Sequence, residues 1–418
     1  MFSTASTAKP ARAFATARQS EIDGIRGWAS IGVLLFHLVW ELYGVIYPGL
    51  RAPILRPLLD GPLAVYIFFV LSGDALSLGF TDARRNGLNP RMVLKRYFRL
   101  FGPILFSCLA TYLLMQSQMT FNHEAAAIVR REDWLGAFLS FEPSLSDMLR
   151  FSALGVFTTD HPSTSYNPFL WPMGIELGGS MLIFSLSIIY RDLRRPTLWI
   201  AVAAVALLYL GSPYGLFLVG AVFGGLRTDG VFAVAGRWPA WNRIATIFVV
   251  AGLYTLIALP QSHDGRLGLL LASVVVLVCY SSIDLLSLMR SRISLFVGRI
   301  SFPVYFMQFP VLVSLTSWLI IQGQSTTSGS WAATVVITSF AAVILIAVIT
   351  EALEAKYLGW LDHVIAGAFR SSGTPRKMAA SPPPAVEVTN DTQMRGAPTD
   401  RWSAEVLEGY SGKTSARA

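Results

Sequence analysis

The chain has 418 residues, 53% of them hydrophobic and 14% charged, with a mean hydropathy of +0.53 and a formal net charge of +8. Soluble domains carry about a quarter charged residues, so this composition excludes an ordinary globular enzyme and indicates an all-α, polytopic membrane protein. The positive charge does not indicate a nucleic-acid partner, because the basic residues sit in short loops between apolar runs, where they set orientation.

In chain order, residues 1–20 form a Ser- and Arg-rich leader, read as a cytosolic tail in preference to a transit peptide. About ten transmembrane helices are predicted, near 28–46, 62–80, 97–117, 169–190, 197–211, 214–227, 243–260, 267–287, 302–321 and 332–352. Loops holding Arg84, Arg85, Arg91, Lys95 and Arg96, then Arg191, Arg194 and Arg195, Arg227 and Arg237, and Arg290, Arg292 and Arg299 fall on one side. The positive-inside rule makes that side cytoplasmic and puts both termini there. Residues 118–168 form an extracytoplasmic segment in which Trp134, Phe138 and Phe141 suit an interfacial helix or a lid. The membrane domain covers 21–368, and the Ser-, Pro- and Thr-rich stretch 369–418 reads as a disordered cytoplasmic tail. Cys108 and Cys279 lie inside apolar stretches and read as small core residues.

Several polar groups fall where lipid makes them expensive. In EIDGIRGWASIGVLLFHLVW, Arg26 and His37 are ten residues apart, roughly 16 Å along a helix. A histidine at that depth marks a functional site or an interhelical hydrogen bond. Chemically it suits a general base, and Glu41, four residues on, shares its helix face and could orient the ring. In VLKRYFRLFGP, Arg96 and Arg99 lie one turn apart. Asp74, near the end of the second run, either pairs with one of these arginines or caps the helix as an exposed charge. In NPFLWPMGIELGGS, Trp171 suits an interfacial belt and Pro172 a kink or a helix start. Glu176, two turns deeper, should face the interior, as an acceptor-binding group, a His37 partner or half of a salt bridge. The other histidines lack metal-ligand spacing, so no metal is expected. Phosphate-loop, dinucleotide and serine-elbow motifs are absent from the sequence.

The Arg-ten-His pair, the paired arginines, the FFVLSG run, the LWPMGIE element and the late SFPVYFMQ segment run in register from about 20 to 350. Together they resemble the membrane-bound acyltransferase family 3. The resemblance implies transfer of an acyl group, acetyl above all, from cytoplasmic acyl-coenzyme A to a hydroxyl of an extracytoplasmic glycan or glycolipid, in the plasma (inner) membrane. It implies that Arg26, Arg96 and Arg99 bind the donor's phosphates and that Ser72 and Gly73 permit close helix approach or leave room for the pantetheine arm. His37 would then be the base, with Glu41 and Glu176 beside it. Two departures stand out: Asp74 replaces an aromatic or aliphatic residue, and Gln308 replaces a second histidine, leaving Tyr305 as a possible donor. A transporter with a mid-membrane His/Glu relay and a non-catalytic scaffold of the same fold are the competing readings.

Overall fold

Lipid offers no partner for backbone N–H and C=O groups, so a spanning chain must bond within itself. The computed structural model accordingly shows helices and no strand among the described residues, which are 20–78, 90–158, 164–190, 192–232, 238–259, 265–323 and 329–370. Expectations for the two tails, and for Arg84, Arg85, Arg191, Arg237, His161 and His263, fall outside them.

Helix α1 (Ser20–Leu35) runs on through a π-helical stretch, Phe36–Glu41. After two short 3-10 turns come α2 (Gly61–Ser77), capped by Asp60, and α3 (Pro90–Gln116). The segment between α3 and the next long helix holds α4 (Asn122–Val129), α5 (Leu145–Arg150), a π turn and the short α6 (Val156–Thr158). Then follow α7 (Pro172–Ile189), α8 (Pro196–Tyr209), α9 (Tyr214–Thr228) and α10 (Pro239–Ala258). The last group is α11 (Arg266–Ser281), α12 (Ile283–Met289), α13 (Arg292–Val311), α14 (Ser317–Gln322) and α15 (Gly329–Arg370).

Each of the ten predicted runs falls on helix, but the lengths differ. Among the described residues seven helical runs are long and apolar enough to cross a membrane, and the bent pair α11–α12 would make eight. Helices α8 and α9 are apolar but shorter. The α11–α12 pair bends by 94° at Ser282, where Asn242 holds the broken backbone: its amide donates to the Ser281 carbonyl and accepts from the Ile283 N–H. Pro172 starts α7 and does not kink it, since a first-turn proline lacks only an N–H that would be orphaned anyway. Helix α15, at 42 residues, is about 63 Å long, twice the hydrocarbon thickness. Its polar end docks on α3 through Lys95–Asp362 (2.7 Å) and a Tyr357 hydroxyl bond to the Phe98 carbonyl (2.7 Å), which is why it outruns the apolar pattern.

Helix α1 packs against α2 and α13, and α2 packs against α7, α9 and α11. Glycine allows two of these crossings. A Cβ on Gly27 would sit 2.5 Å from the Gly298 nitrogen on α13, and one on Gly73 would sit 2.0 Å from the Phe217 carbonyl oxygen on α9. Small residues let helices in lipid approach backbone to backbone, and here they bring the polar positions of α1, α2, α7 and α13 together.

Candidate functional site

One cluster forms where α1, α2, α3 and α7 meet. Arg96 of α3 pairs with the buried carboxylate of Glu176 on α7 and donates from Nε to Ser180 Oγ at 2.8 Å. Ser72 of α2 donates to the same Glu176 Oε1 at 2.6 Å. Arg26 of α1, half-buried, reaches the Leu71 carbonyl at 3.5 Å. Arg99, exposed on the next turn of α3, lies within electrostatic range of both Arg26 and Arg96. Asp23 and Glu354 act at longer range on Arg26 and Arg99. The predicted trio thus lies within electrostatic range of one another, with Arg96 alone in direct contact with the carboxylate of Glu176. Guanidiniums carry five donors each, and several on this face remain for an anion.

The second cluster surrounds His37, in the π-helical end of α1. Its ring stacks on Phe169 (centroids 3.8 Å apart, planes 12° apart) and faces Trp134 at 6.0 Å. Phe138 and Phe309 pack edge-on against Phe169 and close the box. His37 Nδ1 lies 3.1 Å from Gln308 Oε1 on α13, and the residue as a whole is half-buried. Gln308 in turn donates from Nε2 to the Tyr305 carbonyl at 2.9 Å. The Tyr305 hydroxyl donates to the Phe169 carbonyl, and Tyr305 is also within electrostatic range of Glu176. The two clusters therefore share α1, and Phe169 lies in the 3-10 turn that leads into α7, the helix of Glu176.

The segment after α3 lies over this histidine. Arg131, almost fully buried, donates to both the carboxylate and the backbone carbonyl of Glu41, bonds Asp133 at 3.0 Å, and stacks over Trp134 with 5.0 Å to the ring centroid. Asn122 donates to the Leu135 and Phe138 carbonyls and holds the turn that carries Trp134 and Phe138. Phe141 packs elsewhere, edge-on against Tyr166.

These contacts bear on four expectations. Glu41 pairs with Arg131, not with His37, because the switch to i→i+5 bonding takes residues four apart off a common line. Glu176 is bonded to Arg96 and Ser72 and belongs with the arginines, not beside the histidine. Of the two roles expected for Ser72 and Gly73, the contacts give close helix approach: Gly73 lies against the α9 backbone, and Ser72 bonds Glu176 on α7. Asp74 is fully buried and pairs with Arg227 and the Tyr280 hydroxyl (2.6 Å), not with Arg26, Arg96 or Arg99. Glu21 extends this network to Arg290 at 3.2 Å.

Sequence reasoning missed Phe169, Arg131, Arg227 and Tyr280. Only Arg131 left a signal, as one of two adjacent arginines beside the aromatics of an otherwise loop-like stretch.

With this geometry in view, comparison with known proteins is informative. The acyltransferase domain of acyltransferase family 3 matches residues 19–351, which include both clusters. An O-acetyltransferase, PaAT-1 of Phomopsis amygdali, is 32% identical over 107 residues, 21% of this chain and 22% of that protein. The chain thus aligns with about a fifth of the length of that relative. No solved structure matches significantly. The family match spans most of the chain, and the chain belongs to acyltransferase family 3.

Proposed function

We propose that this protein is an integral-membrane O-acyltransferase that carries an acyl group, acetyl above all, from cytoplasmic acyl-coenzyme A to a hydroxyl of an extracytoplasmic glycan. The observation that carries the reading is the arrangement along α1. Arg26 stands among the arginines near one end, and His37 stands in the aromatic box about 16 Å further on. Guanidinium forks suit the phosphates of coenzyme A. The pantetheine arm then spans the distance and delivers the thioester to His37.

The reaction follows from those positions. The acceptor hydroxyl enters beneath the Trp134 segment and attacks the thioester carbonyl, forming a C–O bond as the C–S bond breaks. His37 takes the hydroxyl proton, and the departing thiolate receives a proton in return. Aromatic faces around His37 suit the C–H faces of a sugar ring and exclude water that would hydrolyse the thioester. In this reading the chain crosses a plasma membrane about ten times, counting α8, α9 and the bent α11–α12 pair, with both termini inside. The donor arrives from within and the acceptor from outside.

The test is mass spectrometry of the producing cell's surface and secreted glycans, with and without the gene, complemented by the native sequence or by His37→Ala. A glycan gaining an acyl mass with the native sequence alone is the expected result. No acylated species changing would overturn the glycan acceptor, and full acylation by His37→Ala would overturn the base.

A further inference from the structure

We propose that Gln308 is a positioning residue that sets the tautomer of His37, keeping the ring proton on Nδ1 and presenting Nε2 as the basic nitrogen. The argument is a chain of obligations. The Tyr305 carbonyl can only accept, so the amide NH₂ of Gln308 must face it, at 2.9 Å. The amide oxygen therefore faces His37 Nδ1, at 3.1 Å. That oxygen also can only accept, so Nδ1 must carry the hydrogen. A neutral imidazole has one ring hydrogen, which leaves the Nε2 lone pair free. Gln308 is 2% exposed, so water does not compete for its amide.

Turning the ring over would put Cδ2 in the place of Nδ1 against Gln308, losing that hydrogen bond, and would break the stack on Phe169 on the way. Among the described residues, no carboxylate takes the orienting place. Glu41 on the same helix and Asp133 of the overlying segment both bond Arg131, and the Tyr305 hydroxyl on α13 bonds the Phe169 carbonyl. A neutral amide orients the base without adding charge next to it. An imidazole held by an amide is a weaker base than one held by a carboxylate, and it returns its proton to the leaving thiolate more readily.

The catalytic meaning of this arrangement rests on the acyl-transfer reading, but the tautomer does not, and the two are tested separately. The full chain is labelled with ¹⁵N-histidine, placed in lipid nanodiscs, and examined by NMR at neutral pH, the His37 signals being assigned by their loss in His37→Asn. The expected pattern is a protonated Nδ1 and an unprotonated Nε2, and in Gln308→Leu a shift toward the other tautomer or a mixture. A native Nε2–H tautomer, or an unchanged Nδ1–H signal in Gln308→Leu, would overturn the proposal whatever the enzyme's activity. Kinetics supply the second readout. Gln308→Glu places a carboxylate on the Nδ1 proton, favours the imidazolium, and should move the acid limb of the kcat/KM profile up by about one to two pH units. Gln308→Leu should lower kcat roughly 100-fold with little change in KM for the acyl donor. An unmoved acid limb in Gln308→Glu that folds and turns over would also contradict the proposal. A correct tautomer without any acyl transfer would remove the functional reading and leave the assignment of Gln308 standing.

Discussion

Asp74 shows how much a single residue can commit the protein. Its carboxylate is wholly buried and is satisfied by Arg227 and by the Tyr280 hydroxyl. Removing one partner of a buried ion pair leaves an uncompensated charge, at a cost of about 3–5 kcal/mol. Asp74→Ala should therefore lower the thermal midpoint of the detergent-solubilised protein markedly, and Asp74→Asn, which keeps a hydrogen-bond acceptor, should lower it less. Equal midpoints for Asp74→Ala and the native chain would show that the network contributes nothing to stability. Arg99 stands at the opposite extreme, exposed, with Glu354 acting on it only at longer range. Arg99→Ala should leave the stability within about 0.5 kcal/mol of native, as surface changes usually do, while raising KM for acetyl-coenzyme A. That outcome would separate an arginine kept for structure, Arg227, from one proposed to hold a ligand.

At the scale of elements, the segment between α3 and α7 covers His37 and is held by several ties, among them the Phe121 N–H on the Val313 carbonyl and the Tyr97 hydroxyl on the Ala153 carbonyl. Arg131 is the tie nearest the histidine: it joins the segment to Glu41 at the π-helical end of α1, and the same guanidinium supports Trp134 beside His37. Arg131→Ala should loosen the cover there, so transfer falls while hydrolysis of the thioester by water rises relative to it. The check is release of free coenzyme A measured against acylated product, and an unchanged ratio would show that the segment does not shield the site. The α2–α9 crossing makes a separate prediction. With a Cβ on Gly73 only 2.0 Å from the Phe217 carbonyl, Gly73→Leu must push the helices apart. Because α2 also carries Ser72 to Glu176, donor affinity should fall along with stability, whereas Gly252→Leu, at a position with open space around it, should alter neither.

Over the whole molecule, the long helices were legible in the sequence because the bilayer leaves a spanning chain little choice but helix, and apolar runs of the right length mark it. Arg26, His37, Arg96 and Arg99 were legible for the same reason: a polar group within an apolar run is conspicuous. Their partners were not, because pairing depends on how helices are rotated against one another. His37 meets Gln308 across 271 residues, Asp74 meets Arg227 across 153, and Arg131 meets Glu41 across 90. Local spacing put Glu41 beside His37, and an unheralded π-helical stretch separated them. Helix α15 exceeded its apolar pattern because docking on α3, not lipid, sets its far end. The proposed function requires that the arginine cluster receive the acyl donor and that His37 then act on it. The most direct measurement is acetyl-coenzyme A affinity of the full chain in nanodiscs, for the native protein, His37→Ala, and Arg96→Ala combined with Arg99→Ala. Loss of two charge-assisted contacts should weaken binding roughly 100-fold in the double arginine variant, while His37→Ala binds like the native chain and transfers nothing. Native affinity in the double arginine variant would contradict the donor site.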